Sequence, residues 1–225
     1  MKIHRFIGDF DLSKKELEIA GEEAQQMIKV LKLKAGEKID LSDGKGTSAI
    51  AHITEIAGKK LKAEIEQVET AKEPNKQISL YCAVLKKENF ELVVQKATEC
   101  GVSKIIPIIT SRTIKTGLNT ERLRKIAKEA SEQSGRNTIP EINEIENFEP
   151  KKHQKENNYI FDISGEKINN FEKENINIWI GPEGGWTDEE IRVCQAHNFK
   201  IASLGTLTLR GETAAIISTY LVSNF

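Results

Sequence analysis

Hydrophobic and polar residues alternate in short runs through the first third of the chain. From residue 3 to about 68, segments such as 38–41, 49–53 and 61–65 place apolar residues at every second position. This period of two is typical of half-buried β-strands. The sequence 43–46 has two glycines and an aspartate, which predicts a hairpin turn between the first two of these strands.

A single helix is expected in this part, near residues 22–30, and a small β-barrel is the natural closure for such strands. The polar segment 71–76 contains Pro74 and predicts a linker. We therefore expect one domain over residues 1–70 and a second over 77–225.

Longer apolar strands and amphipathic helices alternate beyond residue 76. The strands are predicted at 78–85, 104–109, 159–163, 176–180 and 200–204. The helices are predicted at 89–100, 120–133, 188–197 and 212–223. This order favours an α/β fold with a mostly parallel sheet that is covered on both faces.

A glycine-rich loop follows the apolar strand 176–180. Its sequence is Gly181-Pro182-Glu183-Gly184-Gly185, and glycines directly after a strand let the backbone approach a ligand without a Cβ in the way. Thr187 and Glu190 have the spacing of a capping box, which predicts a helix from about 188 to 197 that Asn198 ends.

A second loop, residues 203–215, again joins an apolar strand to an apolar helix. A strand-helix-strand unit crosses over into a parallel neighbour, so both loops should emerge at one sheet edge, where ligands bind in open α/β sheets. Neither a phosphate-binding lysine motif nor a dinucleotide motif is present. Backbone groups with apolar walls suit a flat neutral group such as adenine, and tight turns with helix-packing glycines are the alternative.

The composition is typical of an intracellular enzyme. Among the 225 residues 38% are hydrophobic, the net charge is −1, and three cysteines lack metal-type spacing. We expect a reduced cytoplasmic compartment, no metal and no membrane-spanning segment. The charge is uneven, because residues 86–128 hold ten Lys or Arg against four Glu while 129–191 hold six against fifteen acidic residues. The basic segment could track phosphates or could form solvated helix faces.

Several motifs resemble those of the RsmE family of the SPOUT methyltransferase superfamily. They are the first glycine loop, Leu204-Gly205, Leu209-Arg210-x-Glu212-Thr213-Ala214, 95–102, Ser111-Arg112 and 129–136. Their order is that of the family, and the resemblance extends over nearly the whole chain. Three positions depart from it, since Gly211, Lys32 and Cys100 stand where Thr, Arg and Leu are expected.

The resemblance implies a fold and an activity. The C-terminal part would be a SPOUT domain whose chain forms a trefoil knot, and the N-terminal part would be a PUA-like, RNA-binding β-barrel. The family methylates N3 of a uridine in 16S ribosomal RNA near the decoding centre, with S-adenosylmethionine as methyl donor. The partners would be 16S rRNA, within the 30S subunit, and a second copy of the chain, since the family is homodimeric.

Candidate site residues follow from the loops and from this resemblance. The predicted cofactor-binding residues are Ile180, Gly181, Pro182, Glu183, Gly184, Gly185, Ser203, Leu204, Gly205, Leu209, Arg210, Glu212, Thr213 and Ala214. The predicted catalytic residues are Arg210, which would stabilise charge on the uracil oxygens, and Glu183, as a proton acceptor. The predicted RNA-binding residues are Arg5, Lys32, Lys34, Gln95, Glu99, Arg112, Gln133 and Arg136.

Structural alternatives exist for these roles. Arg210 could form a salt bridge to Glu212 or Glu183, Glu183 could cap a backbone N–H, and Glu212 or Thr213 could cap the last helix. Two other functions also stay open. One is a SPOUT methyltransferase that acts on tRNA or a ribose 2′-oxygen, and the other is a non-enzymatic RNA-binding assembly factor.

Overall fold

The computed structural model of the chain describes residues 3–70, 76–114, 117–168, 171 and 174–225. These residues form two compact units. The first contains the described residues up to 70 together with Ser131–Ile139, and the second contains the rest. Most of the predicted linker lies outside the described residues. Residues 131–139 belong to the range that the sequence assigned to the second domain, yet they pack with the first.

The first unit is a five-stranded sheet with one short helix. Its elements are β1 (His4–Ile7), β2 (Glu16–Ile19), α1 (Gly21–Gln25), which continues as a π-helical turn (Gln26–Val30), β3 (Lys38–Ser42), β4 (Thr47–Ala57) and β5 (Lys60–Thr70). The strand order is β1-β3-β4-β5-β2. All pairs are antiparallel except β1 with β3. The three predicted strands, the hairpin and the helix are confirmed.

Residues 131–139 pack on the β1 and β3 side of this unit. The Arg5 guanidinium forms an ion pair with Asp40 of β3 at 2.6 Å and also donates to the Gly135 carbonyl and to Asn137 Oδ1. Thr138 forms an antiparallel bridge with Lys45. A segment distant in sequence therefore contacts the unit at several points, and Arg5 bridges it to β3.

The second unit alternates strands and helices. Its elements are β6 (Gln77–Ala83), α2 (Lys87–Glu99), β7 (Lys104–Ile109), α3 (Thr120–Ser134, whose end lies in the first unit), β8 (Glu141–Ile142), β9 (Glu146–Asn147), a 3₁₀ turn (Pro150–His153), β10 (Asn158–Lys167), β11 (Asn175–Ile180), α4 (Asp188–Ala196), β12 (Lys200–Ser203) and α5 (Gly211–Asn224). All five predicted strands and all four predicted helices of this part are present. The short strands β8 and β9 are additional.

These strands form one parallel sheet of order β12-β10-β11-β6-β7-β8, with β9 also paired to β7. The expectation that the strand after α4 pairs beside the one before it is wrong, because β10 lies between β11 and β12. The carboxyl ends of β11 and β12 nevertheless lie at the same edge of the sheet. Every residue from Ile176 to Ile180 is buried, so both faces of β11 are covered as predicted.

Helix α5 packs against α2, β6 and β11, and α4 packs against β12. Strand β12 therefore lies at one edge of the sheet, and the chain then crosses back so that α5 packs on the central strands β6 and β11. The threading of this segment through a knot stays a prediction. Within the described parts of the chain, no helix combines the length and the apolar character needed to cross a bilayer.

Candidate functional site

A cavity of about 700 Å³ lies at the carboxyl ends of β11 and β12, beside the middle of β10. Its walls come from the middle of β10, from the segments that follow β6, β7, β11 and β12, and from the first turns of α2 and α5. The residues that line it are Lys86, Asn89, Arg112, 161–163, 180–186, 203–205, 207–212 and Ala214. The two glycine-bearing loops are therefore brought together, as predicted.

The first loop turns tightly around Trp186. A Cβ on Gly181 would lie 3.1–3.2 Å from the Trp186 indole, so a side chain here would require the buried indole to shift. The indole Nε1 donates to the Phe161 carbonyl at 3.1 Å, which links the loop to β10. Gly185 has φ +68°, in the left-handed region that favours glycine. Glycine is therefore favoured at Gly181 by the close contact with the indole and at Gly185 by the backbone conformation.

The segment after β7 is bound to this loop. The Arg112 guanidinium donates from Nη1 to the carbonyls of Gly184, at 2.8 Å, and Trp186, at 3.0 Å. Glu190, which is buried, accepts the Ser111 amide on Oε1 and the Thr187 amide on Oε2. The capping box is present, because Thr187 Oγ1 also accepts the Glu190 amide.

Glu183 contacts the start of α2. Its Oε1 accepts the Lys86 amide at 3.1 Å, and Lys86 is the N-cap residue of that helix. This is the structural alternative considered for Glu183, a cap on a backbone N–H. The Lys86 side chain is exposed at the rim of the cavity.

The second loop ends at Arg210, the N-cap residue of α5. Arg210 is exposed, and within the described residues it forms no ion pair with Glu183 or Glu212. Gly211 begins α5 and is buried, and a Cβ there would lie 2.9 Å from Leu85 Cδ2. The backbone at the start of α5 therefore packs closely on Leu85, and the Arg210 side chain extends from it at the cavity.

Glu212 is a buried carboxylate that lines the cavity. It is only 7% exposed, and its Oε2 has no hydrogen-bond partner among the described residues. Burial raises the pKa of the neighbouring Cys82 thiol, and the negative charges of Glu183 and Glu212 raise it further. An unpaired buried carboxylate oxygen is costly and favours a ligand that donates a hydrogen bond or carries positive charge.

Both predicted catalytic residues and all but one of the predicted cofactor residues line the cavity. The exception is Thr213, which lies in the first turn of α5 and does not reach it. Neither Thr213 nor Glu212 is the N-cap of α5, since that position is Arg210. Of the predicted RNA-binding residues only Arg112 is at the cavity.

The other predicted RNA-binding residues are spread over both units. Lys32, Lys34, Gln95, Glu99 and Gln133 are exposed. Arg5 is engaged by Asp40 and by the 131–139 segment, and burial lowers the pKa of the Arg136 guanidinium. Both arginines therefore lie partly buried within the first unit, which favours a structural role for them.

Several lining residues were not predicted from the sequence. They are Lys86, Asn89, Phe161, Asp162, Ile163, Trp186, Leu207, Thr208 and Gly211. Residues 161–163 could have been predicted as lining residues, because they end a predicted strand and the carboxyl ends of parallel strands lie at one edge of the sheet. That prediction requires the strand order, which the sequence does not supply.

Comparison with protein-family models identifies both parts of the chain. Residues 71–223 match the model described as an RNA methyltransferase domain. Residues 19–66 match the model described as an RNA methyltransferase PUA domain. The two matches fall in the C-terminal and N-terminal regions that the sequence separated.

Similar proteins give the same result. Ribosomal RNA small subunit methyltransferase E of Rickettsia conorii is 33% identical over 215 residues, covering 89% of this chain and 86% of that protein. The crystal structure of the enzyme of this name from Neisseria gonorrhoeae, bound to S-adenosyl methionine, superposes with TM-score 0.87 at 28% identity, covering 97% of this chain and 95% of that one. A putative methyltransferase of Legionella pneumophila in complex with the same cofactor gives TM-score 0.85 at 28% identity, covering 99% and 97%.

The fold is thus that of a PUA-like domain followed by a SPOUT methyltransferase domain, and the chain belongs to the ribosomal RNA small subunit methyltransferase E family.

Proposed function

We propose that this protein transfers a methyl group from S-adenosylmethionine to N3 of a uridine in 16S ribosomal RNA, near the decoding centre of the small subunit. The observation that carries the proposal is the cavity itself. Two glycine-bearing loops and the start of α5 build it at the carboxyl ends of parallel strands, in a chain of this family. Relatives of the same fold bind this cofactor.

The residues of the cavity fit such a donor. Its volume of about 700 Å³ is in the range of small-molecule sites. Apolar side chains at Ile163, Ile180 and Leu207 suit a flat adenine ring, and loop glycines give the backbone close access. The unpaired, buried oxygen of Glu212 suits a cationic or N–H-bearing group.

S-adenosylmethionine, when bound, supplies an activated methyl group on a sulfonium. The methyl carbon would bond to uracil N3 as its bond to sulfur breaks, and S-adenosylhomocysteine would leave as the neutral thioether. The N3 proton would pass to solvent water, and negative charge spreads onto O2 and O4 as it leaves. A fixed cation against either oxygen lowers the barrier. We assign this role to Arg210, because it is exposed at the cavity and forms no ion pair with Glu183 or Glu212 in the part of the chain that the structure describes.

We assign Glu183 a positioning role. Its carboxylate holds the Lys86 amide, which fixes the start of α2 beside the glycine loop. The Lys86 side chain then lies at the cavity rim, together with Arg210, where cations can contact RNA phosphates. Lys86 is accordingly a better candidate for an RNA contact than Arg5, whose donors are engaged within the first unit.

The first unit would bind RNA through exposed lysines. Lys32 and Lys34 follow the π-helical turn and are solvent-exposed, and Lys32 has φ 55°, which is uncommon for a residue with a side chain. The match to the PUA model supports this role. A ribosomal RNA target also places the protein in the cytoplasm.

We further propose that the protein acts as a homodimer through α5. The helix leaves Ile217 and Tyr220, which lie one turn apart, exposed at 36% and 51%, and Phe225 directly after it is 60% exposed. Large apolar side chains that are exposed together are typical of a protein–protein interface. A second copy of the chain would cover this face and bring two sets of basic residues together.

Methyl transfer to small-subunit ribosomal RNA tests the proposal. With labelled S-adenosylmethionine, we expect wild-type protein to label the RNA and Arg210→Ala to lose about 10²–10³-fold in rate, with donor affinity changed less than about twofold. Arg210→Lys, which keeps the charge without the planar fork, should recover only part of the rate. Unchanged turnover in Arg210→Ala would remove the assigned role, and absence of donor binding in wild type would remove the proposed function.

A further inference from the structure

We propose that Arg112 is a positioning residue for the methyl-donor site, which locks the first glycine loop in its binding conformation, and that it does not contact RNA. The family resemblance predicts an RNA contact for this residue. The proposal rests on the proposed function in one respect, since it takes the cavity to be the donor site. The observations that carry it are the hydrogen bonds and packing of Arg112 itself.

One guanidinium nitrogen of Arg112 joins two turns of the loop. Nη1 donates to the Gly184 carbonyl at 2.8 Å and to the Trp186 carbonyl at 3.0 Å. A Cβ on Gly184 would lie 3.4 Å from both Cβ and Cδ of Arg112, so the aliphatic stem also packs along the loop backbone. Such hydrogen bonds from a charged donor are stronger than neutral ones.

A second tie lies beside the first. The Ser111 amide donates to Glu190 Oε1 at 2.9 Å, and Glu190 Oε2 accepts the Thr187 amide at 2.8 Å. The segment after β7 is therefore connected to the glycine loop at Gly184 and Trp186 through Arg112, and at Thr187 through Glu190. These two adjacent sets of hydrogen bonds fix the position and the direction of the loop backbone from Gly184 to Thr187.

The tied residues are those that form the cavity wall. Gly184, Gly185 and Trp186 all line it. Within this stretch Gly185 has φ +68°, and its amide donates to the Pro182 carbonyl at 2.8 Å. Two adjacent glycines have the largest conformational freedom of any pair of residues, so an unrestrained loop would spend much of its time in other shapes. Fixing the loop before binding raises affinity because the ordering cost is already met.

The two roles for Arg112 predict opposite changes on substitution. Arg112→Ala should weaken binding of S-adenosylmethionine and of the product S-adenosylhomocysteine by about 10-fold or more, measured by calorimetry, through the loss of two charge-assisted hydrogen bonds. Affinity for small-subunit RNA should stay within about twofold, with an unchanged salt dependence. In steady-state assays the donor KM should rise while the RNA KM stays constant.

Arg192→Ala is the matched control. Arg192 belongs to the same unit, its side chain is 72% exposed, and it pairs with Glu189 across one turn of α4 at 3.5 Å. The variant therefore removes the same charge at a position away from the cavity. We expect wild-type affinity for donor and RNA. Arg112→Lys keeps the charge, but its side chain is one atom shorter to the terminal nitrogen, so we expect it to restore only part of the donor affinity.

Hydrogen exchange of the protein without ligand tests the lock independently of the donor. Amides of Gly185, Trp186 and Thr187 should exchange faster in Arg112→Ala than in wild type, while those of β6 and β11 should not change. Unchanged exchange and unchanged donor affinity would overturn the proposal. So would a loss of RNA affinity with a shallower salt slope and normal donor binding, the outcome expected of a phosphate contact. If wild type fails to bind the donor, the proposed function fails, while the exchange result still decides the lock.

Discussion

Glu190→Gln should destabilise the second unit, although it replaces a carboxylate by a group of almost the same shape. Glu190 is 7% exposed. Its Oε1 accepts the Ser111 amide, and its Oε2 accepts both the amide and the hydroxyl of Thr187 at 2.8 and 3.1 Å. Both carboxylate oxygens therefore face N–H donors, one on the loop after β7 and one at the start of α4.

The expected loss follows from the donor and acceptor inventory. A glutamine has one acceptor oxygen and one NH₂ group, so in either orientation the NH₂ faces a backbone N–H. One hydrogen bond to a charged acceptor, of about 1.5–3 kcal/mol, is lost, and the other becomes a weaker neutral bond of about 0.5–1.5 kcal/mol. We expect the free energy of unfolding to fall by about 2–4 kcal/mol near neutral pH.

The effect should depend on pH with a definite sign. Burial alone would raise the pKa of Glu190, but hydrogen bonds from Ser111 and Thr187 together outweigh it and hold the pKa below its ordinary value of 4.5. A carboxyl whose pKa is lowered on folding stabilises the protein at pH above 4.5, and this contribution is lost as the pH falls through the folded pKa. The difference between wild type and Glu190→Gln should be constant near neutral pH and should shrink below pH 4.5.

Urea unfolding followed by tryptophan fluorescence measures this difference, because both tryptophans of the chain, Trp179 and Trp186, are buried in the second unit. Glu189→Gln is the control, since Glu189 is 75% exposed and should change stability by less than about 0.5 kcal/mol. A loss below about 1 kcal/mol for Glu190→Gln, or a loss that grows toward acid, would refute the reasoning.

Three further outcomes are expected. Gly181→Ala places a Cβ 3.1 Å from the Trp186 indole, so it should lower the free energy of unfolding by about 1–3 kcal/mol. It should also weaken donor binding in calorimetry. An unperturbed Trp186 emission would contradict the close contact between Gly181 and the indole. Arg5→Ala leaves Asp40 without its cation and should speed hydrogen exchange in β1 and β3. Lys34→Ala should leave exchange unchanged and weaken RNA binding. Reduced RNA affinity of Arg5→Ala with normal exchange would instead support an RNA contact for Arg5. Tyr220→Glu puts a charge on the exposed face of α5, and because burying an unpaired charge in an interface is costly, the variant should be a monomer in sedimentation equilibrium. A monomeric wild type would contradict dimerisation through this helix.

Local patterns predicted most of the elements. Apolar periodicity placed β7 over Lys104–Ile109, and the predicted helix boundaries agree with α2 to α5 within about two residues. The capping box and Asn198, which has φ 65°, gave both ends of α4. Glycines after apolar strands identified the two loops of the cavity. Each of these signals acts between residues close in sequence, which is why sequence alone could supply them.

Long-range pairings could not be predicted in the same way. The position of β10 between β11 and β12 depends on the whole sheet. Arg5 binds Asn137 across 132 positions of sequence, and Arg112 reaches Gly184 across 72. An exposed arginine in a basic segment has the same sequence signature whether it contacts phosphate or a loop carbonyl. For these residues the partner determines the role, and the fold determines the partner.

The most direct test of the central claim is to incubate the protein with S-adenosylmethionine and small ribosomal subunits that lack the modification, and then to map methylated nucleosides by mass spectrometry. We predict 3-methyluridine at a single position of 16S ribosomal RNA, and none with Arg210→Ala. A 2′-O-methylated nucleoside, or methylation of transfer RNA in place of the subunit, would contradict the assigned target. Absence of transfer to any RNA, with donor bound, would contradict catalysis.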